Sequence, residues 1–285
     1  QTIYADTVTY RPQFEDGLTQ NGVVKAIKRP YKDEVKRLSG LEISEEKTIR
    51  FINICKENGL IPMTTCFTRS HVNLLSELGF RSIKVASYDC ASFPLLRELK
   101  GKFDEIVVST GATYDDEIIH AADILSDTDY SFLHCVTLYP TPLKEMHMAR
   151  MDWLKQFTAS VGYSDHSLVS ETKLIASKAA LALGAGLIER HFTLLKSDES
   201  RDGPVSINQE QLKELVDFSQ LDINEKVDKL DGEYPNWRVV LGEKNRRLSD
   251  DELLNRDYYR GRFASPRKDT IDGVRMINNW EETPL

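Results

Sequence analysis

The sequence lacks any run of the roughly 18 consecutive apolar residues that a membrane-spanning helix needs. Its first residues show neither a basic segment nor an apolar stretch of signal-peptide type. A cytoplasmic protein with no membrane partner is therefore expected. Cysteine is scarce: Cys55, Cys66, Cys90 and Cys135 form no CxxC pair, and three of them fall in or beside apolar runs. They read as reduced, structural thiols. Positive charge is in deficit as well, with 37 Lys and Arg against 45 Asp and Glu for a net charge of −8. That balance argues against nucleic acid as a general partner, because phosphate backbones select basic faces. A small anionic substrate stays open to the chain where local cations or helix N-termini hold it.

What the sequence does have is bulk and period. Its 285 residues, 40% hydrophobic and 29% charged, suffice for one large soluble domain or two small ones. From residue 61 onward short apolar segments recur every 20 to 30 residues with amphipathic stretches between them, the pattern of repeated β/α units on a parallel sheet. Six strands are predicted, at 61–65, 82–86, 105–109, 131–135, 159–163 and 186–190. Ser44 is placed to cap a helix through Ile49, Phe51, Ile52 and Ile54, and Thr113 with Asp116 to cap one through Ile118 and Ile119. Asn208 with Gln211 resembles a capping box.

Six units fall short of a closed eight-stranded (β/α)8 TIM-type barrel. Residues 2–4 read as the tail of another strand, whereas 5–40 is polar, broken by Pro12 and Pro30, and offers no convincing one. The predicted fold is thus an α/β barrel of the TIM type without its first β/α unit. It spans 1–220, with a charged C-terminal extension over 221–285 that shows no further β/α period. Such a barrel exposes a parallel strand edge, which predicts oligomerisation or poor solubility.

Reactive groups of a parallel barrel belong at the C-terminal strand ends. The residues there are Thr64 and Thr65; Lys84, Ser87 and Asp89; Ser109-Thr110-Gly111; His134, Thr137 and Tyr139; Ser164-Asp165-His166; and Glu189-Arg190-His191. Hydroxyls, a lysine, histidines and carboxylates suit a phosphate and a divalent metal better than an apolar ligand. His166 and His191 end consecutive strands, so their imidazoles are placed to converge on a transition metal such as Mn or Zn; the plainer alternative is a pair satisfied by neighbouring backbone. Lys84, in an otherwise apolar strand, needs an anion or a desolvated pocket. It serves phosphate binding, a Schiff base, or a lysine snorkelling to the rim. Ser109-Thr110-Gly111 offers amides and hydroxyls to an anion, or is simply a helix entry turn. His134 reads as a core residue, and His71, His120 and His147 as surface residues. The charge runs at 32–36 and 246–256 read as solvated faces.

The ordered set Thr64-Thr65-Cys66-Phe67, Ile83-Lys84-Val85-Ala86-Ser87, Ser109-Thr110-Gly111, Leu133-His134-Cys135, Tyr139-Pro140-Thr141-Pro142, Gly162-Tyr163-Ser164-Asp165-His166 and Ile188-Glu189-Arg190-His191-Phe192-Thr193 resembles the N-acetylneuraminate (sialic acid) synthase family. The resemblance runs from Gln1 to about Leu215. It implies a barrel enzyme that condenses phosphoenolpyruvate with a 2-acylamino sugar aldehyde, N-acetylmannosamine or a relative, into a nonulosonic acid with release of phosphate. It implies that His166 and His191 hold a divalent metal, usually Mn with Mg or Co as alternatives, which polarises the aldehyde and orients the attacking water. Thr65, Lys84, Ser87, Ser109 and Ser164 would bind the carboxylate and phosphate of phosphoenolpyruvate; Asp89 and Tyr139 would face the sugar. His166, His191 and Lys84 are thereby the expected catalytic residues, and a homodimer the expected assembly.

Departures accompany the resemblance. Gln1 resembles the glutamine ending the family's second strand, itself a substrate-binding position, which places the preceding acid and lysine outside the chain. Asp89 stands where relatives usually have Glu, and Thr137 where they often have Asn. Gly203-Pro204 runs into Val205-Ser206 where relatives continue with a sugar-binding Asp; Asp202 or Asp198 is the expected substitute. Many relatives end in an antifreeze-like domain, which is not expected within these 285 residues; Arg246-Arg247 with 260–262 resembles only the linker to it. Two other functions compete: a Schiff-base aldolase on Lys84, and a non-catalytic barrel binding a sugar or phosphate.

Overall fold

The computed structural model describes residues 18–20, 23–25, 36, 39–259 and 265–278. Two short strands, β1 (Leu18–Gln20) and β2 (Val23–Lys25), pair antiparallel with each other and lead to helix α1 (Glu45–Glu57). Then follow β3 (Met63–Thr65), α2 (Val72–Glu77), β4 (Ser82–Val85), α3 (Phe93–Leu99), β5 (Glu105–Ser109) and α4 (Asp115–Leu125). The alternation continues with β6 (Tyr130–Cys135), α5 (Arg150–Leu154), β7 (Val161–Asp165), α6 (Val169–Thr172), α7 (Ile175–Ala182) and β8 (Ile188–Arg190). Helices α8 (Gln209–Ser219), α9 (Ile223–Glu233) and α10 (Asp250–Tyr259) precede an antiparallel hairpin of β9 (Ser265–Ile271) and β10 (Val274–Asn278).

All six expected strands are present, and β3 to β8 form one six-stranded sheet in chain order. The architecture is α/β. β4 and β6 are buried at every position, as is β5 beyond its first residue, as a parallel sheet covered on both faces requires. That is why these strands read as continuous apolar runs. β3 and β8 begin two residues later than predicted, at Met63 and Ile188, and β7 is shifted at both ends. The segment expected at 159–163 is observed at Val161–Asp165, since Ser164 and Asp165 continue the ladder as buried polar residues rather than ending it.

The chain divides into two compact units. The first holds the described residues of Gln1–Val108, Ala112–Tyr130 and Ser249–Leu285. In it β3 pairs with β4 and β4 with β5, all parallel, and α3 packs on α4. Ser44 caps α1 as expected, accepting from the Lys47 amide at 3.3 Å. The expected Thr113 cap is corrected by one residue: Glu117 closes the first turn of α4 by accepting from the Tyr114 amide at 2.9 Å, while the Thr113 hydroxyl donates to the Ser87 carbonyl at 3.2 Å. The charge run at 246–256 is not uniformly solvated either. Glu252 and Arg256, at 0% and 4% exposure, are buried in ion-paired and capping contacts that compensate their charge.

The second unit comprises Ser109–Gly111 and Ser131–Leu248. Here β6 pairs with β7 and β7 with β8, again in parallel, and α7 is covered by α8 and α9. Lys178 of α7 ties this layer together, its ammonium lying 2.8 Å from Glu214 and 2.9 Å from Glu233. The Asn208–Gln211 capping box forms as expected, with both reciprocal bonds at 2.9 Å. His147, expected at the surface, is instead half-buried, its Nδ1 accepting from the Glu243 amide at 3.0 Å. His71 of the first unit is likewise half-buried, its Nδ1 2.6 Å from the Thr68 hydroxyl, while His120 is exposed.

At Gly162 β7 meets its neighbours closely. A Cβ there would lie 2.3 Å from the Leu187 carbonyl oxygen and 2.6 Å from Leu133 Cδ2. Gly162→Ala should therefore cost about 1–3 kcal/mol through overpacking, read as a lower denaturant midpoint at unchanged slope. An unaltered midpoint would contradict this close approach.

The four cysteines are free and buried, as expected. Burial above all pushes the Cys66 and Cys90 thiols up to about 12, so both stay protonated and unreactive at neutral pH. Among the described residues no helix is long and apolar enough to cross a membrane.

Candidate functional site

The register of β7 on β8 builds the site of the second unit. Ser164 stands opposite Glu189 and Asp165 opposite Arg190. Because strand side chains alternate faces, Ser164 and Glu189 meet on one face, where the Ser164 hydroxyl donates to Glu189 Oε1 at 2.6 Å. Asp165 and Arg190 meet on the other as a buried ion pair. One residue beyond each strand end come His166 and His191, whose ring centroids are 5.4 Å apart at 63°.

Tyr139 joins this pair. Its ring centroid is 4.0 Å from that of His166 and its hydroxyl oxygen 2.7 Å from His166 Nε2; it meets the His191 ring edge-on at 6.2 Å. Tyr139 is 54% exposed and His166 only 4%, so the tyrosine forms the solvent side of the cluster. Burial, then the neighbouring His191 charge, lowers the His166 pKa to about 3, against the opposing pull of Asp165 and Glu189. His166 is thus a neutral imidazole at physiological pH. His191 Nδ1 lies 3.9 Å from Asp202 Oδ2, which brings the expected substitute carboxylate to this histidine.

Two adjacent imidazoles, one held neutral, match the nitrogen donors that a divalent transition metal takes. Among the described residues no group of three His, Cys, Asp or Glu side chains is arranged to hold a metal. The His166 and His191 pair by itself matches such a metal only in the type of donor it offers.

The remaining expected residues of this unit are less exposed. Thr137 is buried, and Ser109 is buried with a hydroxyl that has no partner among the described residues. The tripeptide that begins with Ser109 offers less than its sequence suggests: the Thr110 amide and hydroxyl both donate to the Leu133 carbonyl, at 2.9 and 3.1 Å. Ser109 Oγ is the group left over.

In the first unit Thr65 is the register partner of Lys84. Lys84 is 7% exposed, and β4 continues into a single turn of 3-10 helix carrying Ser87 and Asp89, both buried. Gln1 lies outside the described residues. Glu189 is the residue that sequence reasoning left without a role. The signal was available, since a register aligning Ser164 with Glu189 also puts Glu189 on the face of His191.

His134 is core, as expected. Its Nε2 lies 2.7 Å from the Met146 carbonyl oxygen, and burial, followed by Arg246, lowers its pKa from the ordinary 6.5 to about 3. The unfolded chain thus takes up this proton first as pH falls. The contribution of neutral His134 is complete above about pH 6.5 and is lost progressively toward pH 3, amounting to about 2 kcal/mol by pH 5. The denaturant midpoint of His134→Gln should fall less than that of the parent between pH 7 and 5. Parallel curves would assign the acid sensitivity elsewhere.

The NeuB family model matches residues 1–226. The chain belongs to the NeuB family. Among NeuB relatives, the N,N'-diacetyllegionaminic acid synthase of Campylobacter jejuni is 31% identical over 75% of this chain and 67% of its own length. The enzyme of the same name from Legionella pneumophila is 28% identical over 97% of this chain and 73% of its own length. The crystal structure of spore coat polysaccharide biosynthesis protein SpsE from Bacillus subtilis superposes with a TM-score of 0.68 at 22% identity, covering 87% of this chain and 72% of that one, which establishes the shared fold. The chain spans between 48% and 73% of curated NeuB relatives such as these.

Proposed function

We propose that the protein condenses phosphoenolpyruvate with the open-chain aldehyde of a 2-acylamino sugar, adding water and releasing phosphate to give a nonulosonic acid. In this reading C3 of phosphoenolpyruvate forms the new bond to the aldehyde carbon, water adds at C2, and the C2 oxygen leaves with phosphate. The observation that carries the proposal is the paired His166 and His191 beside Tyr139, in a chain whose NeuB relatives are named as synthases of legionaminic, pseudaminic and neuraminic acids.

His166 and His191 would hold the divalent metal, taken to be Mn, which when bound polarises the aldehyde. Tyr139 flanks the two imidazoles on the solvent side and is assigned to the sugar, with Asp89. Lys84, Thr65, Ser87, Ser109 and Ser164 are assigned to the carboxylate and phosphate of phosphoenolpyruvate. The unpartnered Ser109 hydroxyl supports this, because a buried donor without a partner costs about 1–3 kcal/mol unless a ligand engages it. We read the six-stranded sheet as the larger part of an eight-stranded barrel.

Phosphate release from phosphoenolpyruvate, measured with Mn and a panel of 2-acetamido and 2,4-diacetamido aldoses, tests the proposal. Release that requires both a sugar and the metal supports it and names the sugar class. Metal binding without release from any sugar would leave a non-catalytic binding protein; borohydride trapping at Lys84 without metal would leave an aldolase.

A further inference from the structure

Helix α10 lies beyond the stretch matched by the family model, yet it reaches the turn that carries Ser87 and Asp89. Two residues of the helix make the connection. The Tyr259 ring stacks on Tyr88, the residue between Ser87 and Asp89, with centroids 4.7 Å apart and planes at 23°. The Arg256 guanidinium donates through Nη1 to the Ala112 carbonyl at 2.7 Å and through Nη2 to Glu117 at 2.6 Å, and it lies over the Tyr114 ring at 4.4 Å.

Ala112 is a residue that needs holding. Its φ of +50° is in the left-handed region, which non-glycine residues rarely occupy without support from their surroundings. The next residue, Thr113, donates its hydroxyl to the Ser87 carbonyl at 3.2 Å. Arg256 thus fixes one end of a short path, Ala112 to Thr113 to Ser87, while Tyr259 fixes Tyr88 beside it. The helix is itself well anchored. Ser249 and Glu252 bond reciprocally at its start, the Ser249 amide donating to Glu252 at 3.0 Å and the Glu252 amide donating to the Ser249 hydroxyl at 3.3 Å. A merely solvated charged helix would have no reason to bury both Glu252 and Arg256.

We propose that Arg256 and Tyr259 are positioning residues that hold the Ser87–Asp89 turn in its binding geometry, making α10 a determinant of affinity for the anionic substrate. The inference rests on the reading above that Ser87 binds phosphoenolpyruvate and Asp89 faces the sugar.

Phosphoenolpyruvate binding to the full chain, measured by calorimetry, tests it without requiring turnover. Tyr259→Ala should weaken phosphoenolpyruvate binding by about 3–10-fold, the scale of one lost aromatic stack, while leaving the Kd for Mn at the parent value. Tyr259→Phe keeps the stacked ring and should restore parent binding. Arg256→Lys, which keeps the charge but loses the two-pronged contact, should weaken phosphoenolpyruvate and again spare Mn. Parent-like phosphoenolpyruvate affinity in folded Tyr259→Ala and Arg256→Lys would overturn the positioning role while leaving the functional reading intact. A parent chain that binds no phosphoenolpyruvate would overturn both.

Discussion

His191→Ala is expected to lower sugar-dependent phosphate release by more than the roughly 10–100-fold that removing an outer-shell partner of a metal site typically costs, with Mn affinity falling in step. The imidazole lies level with His166 beyond the ends of adjacent strands, with the two rings 5.4 Å apart. It is partly solvent-exposed, so its loss leaves little cavity, and the thermal midpoint should stay close to that of the parent. His166→Ala is the contrasting variant. That ring is buried and touches Tyr139 and Cys135, so its removal should cost stability as well as metal affinity. Parallel measurements of Mn binding, phosphate release and melting separate the two effects. Full activity with an unchanged Kd for Mn in His191→Ala would reduce the histidine pair to a packing contact.

Much of this geometry was legible because a parallel β/α fold imposes two strong regularities on the sequence. Buried strands must be apolar almost throughout, so the runs around Ile83, Val107 and Leu133 identified β4, β5 and β6 within a residue or so. Strand ends carry polar residues at one rim, which singled out His166 and His191 and brought them together before any contact was known.

The failures have equally physical causes. β7 is predicted two residues early because Ser164 and Asp165 look like a strand end, although both are buried and pair across the register with Glu189 and Arg190. Thr113 reads as a cap because threonine so often serves one, whereas its hydroxyl is drawn to Ser87, 26 residues away. Arg256 reads as solvated because a charge run carries no sign of which member will be buried, and its partners Ala112 and Glu117 lie 144 and 139 residues distant. Long-range polar pairing is what a single sequence conceals best.

Arg190→Met is expected to cost about 3–5 kcal/mol, the scale for removing one partner of a buried ion pair, and at about 2–4 °C per kcal/mol to lower the thermal midpoint by roughly 10 °C. The Arg190 side chain is 3% exposed and that of Asp165 0%. Arg190 Nη1 pairs with Asp165 and donates to Ser167 Oγ at 2.9 Å, while Nη2 donates to the Ser167 carbonyl at 3.0 Å. Asp165 keeps two other donors, the Ser177 hydroxyl at 2.5 Å and the Ser167 amide at 2.8 Å, but neither carries charge. Removing the guanidinium strands a carboxylate where solvent cannot reach it. The double variant Asp165→Leu/Arg190→Met removes both charges together, and replacing a buried pair with apolar residues is often neutral or stabilising. Its midpoint should recover most of the loss, giving a coupling energy well outside that of independent sites. The same variant separates stability from function. Asp165 and Arg190 immediately precede His166 and His191, and their pairing fixes the two strand ends on the face opposite Ser164 and Glu189. Recovered stability with weakened Mn binding would show that the pair serves to align the imidazoles; recovery of both would show that the β7–β8 ladder alone suffices.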